Sequence, residues 1–167
     1  TNAISGRGDI IVVEADEYDK AFLSLSPTIS IINNIEKEHL DCYENLDELK
    51  DSFKYFSNNI PFYGFSIMNI DSENVVSIAK DINRPIIKYA IYNEADYSAK
   101  NIKYSKNTTN FDLYVRNKKI ENIDLNIPGE HNVYNSLCAI SVCLELNVTL
   151  KVIKKARISS FDKVAVI

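Results

Sequence analysis

Ile29-Ser30-Ile31-Ile32-Asn33-Asn34-Ile35-Glu36-Lys37-Glu38-His39 is the stretch that decides the fold, read together with Ile10-Ile11-Val12-Val13-Glu14-Ala15-Asp16-Glu17 upstream. Each is a short β-branched run that stops at acids and amides. Such runs suit central strands of a sheet covered on both faces. In open α/β sheets, ligands gather outside the carboxyl ends of the strands. Glu14 and His39 are both expected on that rim. A carboxylate and an imidazole there can share a divalent cation that bridges nucleotide phosphates.

Outward from these runs, strands and helices alternate. Strands are expected over 10–14 and 28–34. Asn45 opens a helix, with Glu48 three residues on in capping-box spacing, and Leu46, Leu49, Phe53, Phe56 and Ile60 form its apolar stripe. A strand follows over 65–70. Ser72 is placed to cap a helix carrying Val75, Ile78, Ala79 and Ile82. Pro85 ends that helix and a strand covers 86–90. This alternation predicts a parallel, doubly wound sheet. The pattern changes at Ala95: residues 97–104, 110–116 and 119–126 alternate polar and apolar, which predicts a small antiparallel meander beside the main sheet. Beyond Pro128-Gly129, Val133, Leu137, Ile140 and Leu144 mark a helix, and Thr149 opens a last one over 150–157. The fold class is therefore α/β, a Rossmann-like and mostly parallel sheet flanked by helices, with a small antiparallel β subdomain.

With 167 residues, the chain is one domain, or one domain with a small subdomain. Its hydrophobic content of 46% and charged content of 25% suit a water-soluble globular protein. A net charge of −4 argues against a nucleic-acid surface. No apolar run approaches the ~20 residues of a membrane helix. Cys42, Cys138 and Cys143 have neither CxxC spacing nor an even count, so they read as reduced cytosolic thiols. Cys138 and Cys143 fall on one expected helix and suit packing as small apolar groups.

Three groups of residues are candidates for chemistry. The first is Glu14-Ala15-Asp16-Glu17-Tyr18-Asp19, four acids in six positions, which also reads as a solvated turn or helix start. The second is His39, flanked by Glu36, Glu38 and Asp41. The acids either pair with a cationic imidazole or help build a Mg²⁺ or Mn²⁺ site with Glu14. The third is Gly129-Glu130-His131-Asn132-Val133-Tyr134-Asn135. Asn132 and Asn135 share a helix face. Two amides there can pair with the donor and acceptor edge of an adenine, while ordinary capping by Asn132 explains the spacing as well. No glycine stands in a G-x-x-x-x-G-K-[ST] phosphate loop.

Four of these stretches carry a resemblance, in order and in register: Glu14 to Asp19, Asn34 to Asp41, Ile60-Pro61-Phe62-Tyr63-Gly64, and Pro128 to Asn135. From about residue 2 to about 161 the chain resembles the Mur ligases, in particular the branch that joins L-alanine to UDP-N-acetylmuramate. The resemblance implies the central, ATP-binding domain over 1–161, with residues 162–167 a truncated tail. It also implies that the UDP-sugar domain, the phosphate loop and the C-terminal domain lie outside this sequence. An isolated fragment of that kind is expected to be inactive.

In the family, the ATP γ-phosphoryl group passes to the lactyl carboxylate of UDP-N-acetylmuramate. The L-alanine amine then attacks the acyl phosphate. Charge builds on oxygen at both steps, which calls for Mg²⁺ and cations. Carried over to this sequence, Glu14 and His39 are Mg²⁺ ligands and the catalytic pair. Asn132 and Asn135, with His131 beside them, contact the adenine. Asn34 and Glu36 line the muramate side. Glu38 stands where family members usually have Asp. Two alternatives are a ligase of the same family that recycles a tripeptide onto the same UDP-sugar and a non-catalytic nucleotide-binding remnant. The uninterrupted run from Phe22 to Pro27, and the presence of Pro61 to Gly64, favour the L-alanine branch.

Overall fold

The computed structural model describes residues 6, 8–37 and 42–155. Its core is a six-stranded sheet in simple sequence order: β1 (Ile29–Ile32), β2 (Phe65–Asn69), β3 (Ile86–Ala90), β4 (Tyr97–Tyr104), β5 (Thr109–Val115) and β6 (Lys118–Leu125). β1 to β4 run parallel, and β4, β5 and β6 pair antiparallel. The expected meander therefore forms, as an extension of the main sheet rather than a unit beside it. Tyr89 pairs with Tyr97 and Ala90 with Ser98, and this short parallel seam makes the two parts continuous.

Helices α1 (Leu46–Asn58) and α2 (Glu73–Ala79) are the crossovers from β1 to β2 and from β2 to β3. Right-handed crossovers between strands added in one direction put both helices on the same face. On that face Ile32 and Met68 pack with Leu49, Phe53, Phe56, Val75 and Ile78. Helix α3 (Glu130–Glu145) covers the other face, where Ile67, Tyr89, Phe111 and Leu113 meet Val133, Leu137, Cys138 and Ile140. Neighbours Ile67 and Met68 belong to opposite cores because strand side chains alternate. Each fully buried Leu, Phe or Ile contributes about 1.5–3 kcal/mol, so both helix layers are held chiefly by their apolar stripes. Helix α4 (Leu150–Lys155) adds Ile153 to the α3 side. Cys138 is buried, and burial pushes its thiol up to about 12, which suits the expected packing role.

The start of α1 follows the capping rule with one change. Asn45 Oδ1 accepts from the Glu48 N–H at 2.9 Å. Glu48 does not reach back to the Asn45 N–H. Its Oε2 accepts from the Glu44 N–H at 2.6 Å, and its Oε1 pairs with Lys20. The ion pair with Lys20 ties the helix start to the 3₁₀ segment Tyr18–Ser24.

One expectation fails outright. Residues 10–14 form no strand. Ile10, Ile11, Val12 and Val13 are 64%, 87%, 80% and 58% exposed. A parallel strand needs a neighbour to ladder with, and among the described residues none pairs with this run. β1 stands at the sheet edge, paired with β2 alone.

Candidate functional site

Parallel pairing puts the carboxyl ends of β1, β2 and β3 on one rim. Three loops leave there: Asn33-Asn34-Ile35-Glu36 after β1, Ile70-Asp71-Ser72 after β2, and Ile91-Tyr92-Asn93 after β3. The start of α3 reaches the same rim, because Tyr134 Oη donates to Asp71 Oδ2 at 2.9 Å and the Tyr92 hydroxyl bonds to the Glu130 carboxylate.

On the β1 side, Glu17, Asn33, Asn34, Ile35, Glu36, Leu49 and Phe53 line a cleft of about 290 Å³. Asn34 and Glu36 are both part of this lining. Their side chains are bonded to each other. Asn34 Oδ1 also accepts from Ser72 Oγ at 2.8 Å and from the Ile35 N–H at 2.9 Å. That use of Ser72 replaces its expected role as a side-chain cap of α2, for which no cap bond forms. Glu17 enters the cleft because Tyr43 Oη donates to its carbonyl at 2.6 Å, anchoring the acidic run beside α1. Burial, then the nearby Glu17 charge, pushes the Tyr43 hydroxyl up to about 12.

The acidic run itself is a helix start. The Tyr18 N–H donates to Asp16 Oδ1 at 2.9 Å, and the 3₁₀ segment begins there. Asp19 and Lys20 have φ of 55° and 57°, a left-handed pair that turns the chain sharply. Glu14 lies exposed on the segment before this turn, outside the cleft lining. Glu14 does not reach the rim through a strand, as the sequence reading had it. His39, with Glu38, Leu40 and Asp41, lies outside the described residues.

On the α3 side, the N-cap is Gly129, with φ of 109°, and not Asn132. Asn132 Nδ2 instead donates to the Pro128 carbonyl at 2.6 Å, so ordinary capping does not account for this amide. Asn135 is half-buried one turn on, and its side chain makes no hydrogen bond among the described residues. His131 is exposed beside Gly129. These three residues share the entrance of the helix.

Asp71 is the rim residue that sequence reading missed. Oδ2 accepts from the Ile91 N–H (2.6 Å), the Tyr92 N–H (3.0 Å) and Tyr134 Oη (2.9 Å). Oδ1 accepts from the Asn93 N–H (2.9 Å) and Asn93 Nδ2 (2.8 Å). Burial alone would raise this carboxyl, but the donors outweigh it and hold it below the usual range. Its partners stand 20 to 63 residues away, so no local pattern announces it.

Among the described residues, no three His, Cys, Asp or Glu side chains gather as a metal cage. Mg²⁺ held against nucleotide phosphates needs one or two protein carboxylates and otherwise keeps water. An exposed Glu14 is compatible with that smaller demand.

Comparison with known proteins supplies the context. The UDP-N-acetylmuramate–L-alanine ligase of Endomicrobium trichonymphae is 46% identical over 165 residues, spanning 99% of this chain and 36% of that protein. The ligase of the same name from Aquifex aeolicus is 43% identical over 156 residues, 93% of this chain and 34% of that one. The chain thus spans about a third of the length of these relatives. The solved UDP-N-acetylmuramate–alanine ligase of Thermotoga maritima superposes with a TM-score of 0.67 at 22% identity, covering 80% of this chain and 29% of that one. MurF of Acinetobacter baumannii gives 0.71 at 21% identity, covering 88% and 32%. These two structures establish a shared fold. The Mur ligase middle-domain model matches residues 2–143, and the chain belongs to the Mur ligase family.

Proposed function

We propose that this chain is the nucleotide-binding part of an ATP-dependent carboxylate–amine ligase that joins L-alanine to UDP-N-acetylmuramate in peptidoglycan precursor synthesis. The observation that carries this reading is the 46% identity over 165 residues to a ligase of that name. The geometry supports it with two walls on one rim. The cleft of Glu17, Asn33, Asn34 and Glu36 offers carboxylate and amide groups to a polar acceptor. The entrance of α3 offers Asn132, Asn135 and His131 to a base.

In this reading Asn135 donates and accepts at the adenine edge, and Asn132 and His131 flank it. Asn34 and Glu36 orient the sugar-bearing acceptor. Glu14 and His39 would hold Mg²⁺. Bound ATP would supply the phosphoryl group that activates the acceptor carboxylate, and the Mg²⁺ would neutralise the charge gathering on the phosphate oxygens. The side chains of this domain position the two partners and contribute no covalent step. We place the reaction in the cytoplasm, where ATP is available. No helix among the described residues is long and apolar enough to cross a membrane.

The test is turnover by the full-length protein that contains this chain. ADP release is expected to require both UDP-N-acetylmuramate and L-alanine, with the amide product seen by mass spectrometry. Turnover with a tripeptide in place of L-alanine, and none with L-alanine, would move the reading to the recycling ligase. The 167-residue chain alone is expected to form no amide, and His39→Ala in the full protein is expected to raise the Mg²⁺ concentration needed for half-maximal turnover.

A further inference from the structure

The N–H groups of Ile91, Tyr92 and Asn93 all point at one carboxylate at the end of β3, the first two at Oδ2 and the third at Oδ1 of Asp71. Successive N–H groups aimed together form a nest that attracts anions. Here the nest is already filled, by the carboxylate of Asp71 from the neighbouring strand end. The loop therefore has no phosphate-binding capacity to spare. The same carboxylate takes the hydroxyl of Tyr134, which lies on α3 between Asn132 and Asn135. A second latch joins the two partners independently: the Tyr92 hydroxyl bonds to Glu130 in the first turn of α3. The loop and the helix entrance are thus tied together at two places, one of them the Asp71 carboxylate.

We propose that Asp71 is a positioning residue that fixes the wall against which the nucleotide's base is read. This rests on the reading that the α3 entrance faces the base. Asp71 itself need not touch the nucleotide. A carboxylate is required because five donors surround it, and an amide would turn its own N–H groups onto either the Oδ1 or the Oδ2 set. If the latch opens, the loop after β3 and the amide of Asn135 lose their fixed spacing. Base recognition then suffers more than phosphate or acceptor binding.

The experiment uses the full-length ligase, with Asp71→Asn, Tyr134→Phe and Asn135→Ala measured side by side. Asp71→Asn is expected to raise KM for ATP about tenfold and to lower the preference for ATP over GTP. KM for L-alanine and for UDP-N-acetylmuramate, and kcat, are expected to stay within about twofold. Tyr134→Phe removes one of the five bonds and is expected to move the same two readouts in the same direction by about threefold, which keeps the test alive if Asp71→Asn does not fold. If Asn135→Ala raises KM for ATP while Asp71→Asn and Tyr134→Phe change neither KM for ATP nor the ATP-to-GTP ratio, the positioning role is wrong and the base-site reading stands. If Asn135→Ala also leaves both unchanged, the base-site reading fails and the inference falls with it. An equal loss with every substrate would reduce Asp71 to a structural staple and overturn the proposal.

Discussion

Tyr89 Oη donates to Asn33 Oδ1 at 2.6 Å, joining the end of β3 to the end of β1 across the intervening strand β2. The ring of Tyr89 is fully buried and stands edge-on to Tyr134 at 6.5 Å. Burial drives its hydroxyl well above the usual phenol range, so it stays protonated and donates to Asn33. One residue thus touches both walls of the rim: its hydroxyl reaches the cleft and its ring backs the α3 entrance.

Removing that hydroxyl while keeping the ring isolates the bond. Tyr89→Phe is expected to cost about 1 kcal/mol, read as a lower urea midpoint with unchanged m. A shift in m instead would mean that the ring had repacked and that the hydroxyl was not the cause.

The helix cap of α1 gives a second measurement. Asn45→Ala leaves the Glu48 N–H without its 2.9 Å acceptor, and the loss is expected to be about 1 kcal/mol of stability. Asn45→Asp retains the acceptor and adds a charge at the positive end of the helix, so its midpoint is expected to stay near that of the parent. An Asp variant as weak as the Ala variant would show that the cap bond contributes little.

That cap was legible in the sequence because Asn45, Glu48 and the apolar stripe are local. The same holds for the presence of β1 to β3 and for α3. What could not be read depends on partners far along the chain. Glu48 bonds to Lys20 and Glu44 rather than closing its own box. Ser72 has the look of a cap, yet its hydroxyl serves Asn34. Asp71 looks like a turn acid until β3 and α3 are brought beside it. The run Ile10–Val13 has strong β propensity, but propensity supplies no neighbour, and without one it stays exposed. The resemblance, carried by short motifs in register, reaches further than periodicity in one respect: it assigns the chain to a family, and the family model matches over residues 2–143.

Acid should expose a third relationship. On the meander, Asp112 accepts from Lys119 Nζ at 2.7 Å, from Asn101 Nδ2 at 2.9 Å and from Asn122 Nδ2 at 2.9 Å. These contacts, Lys119 first, hold its carboxyl well below the ordinary carboxylate range. A group whose folded pKa is depressed adds stability above its unfolded value, about 3.9 for Asp. That stability is lost as pH falls from there toward the folded value. The difference in Tm between the parent and Asp112→Asn is therefore expected to be largest near neutrality and to shrink steadily below about pH 4. A difference that does not change with pH would show that the carboxylate charge is not what these donors stabilise.

The last relationship lies at the site itself. Gly129 holds φ of 109° and ψ of 145°, a conformation that residues with a side chain rarely adopt. A Cβ there would also stand 2.7 Å from His131 Cε1 and 3.0 Å from its Nδ1. The imidazole is exposed and can swing aside, so the backbone sets most of the cost. Gly129→Ala is expected to lower stability by about 1–3 kcal/mol and to displace His131 from its place beside Asn132. Both effects follow from one added methyl, and they separate experimentally: the urea midpoint reports the backbone, and the imidazole proton shifts report the ring. An unchanged midpoint with a moved ring would mean that the turn relaxes into another conformation at no cost, and Gly129 would then be present for the space it leaves rather than for its φ.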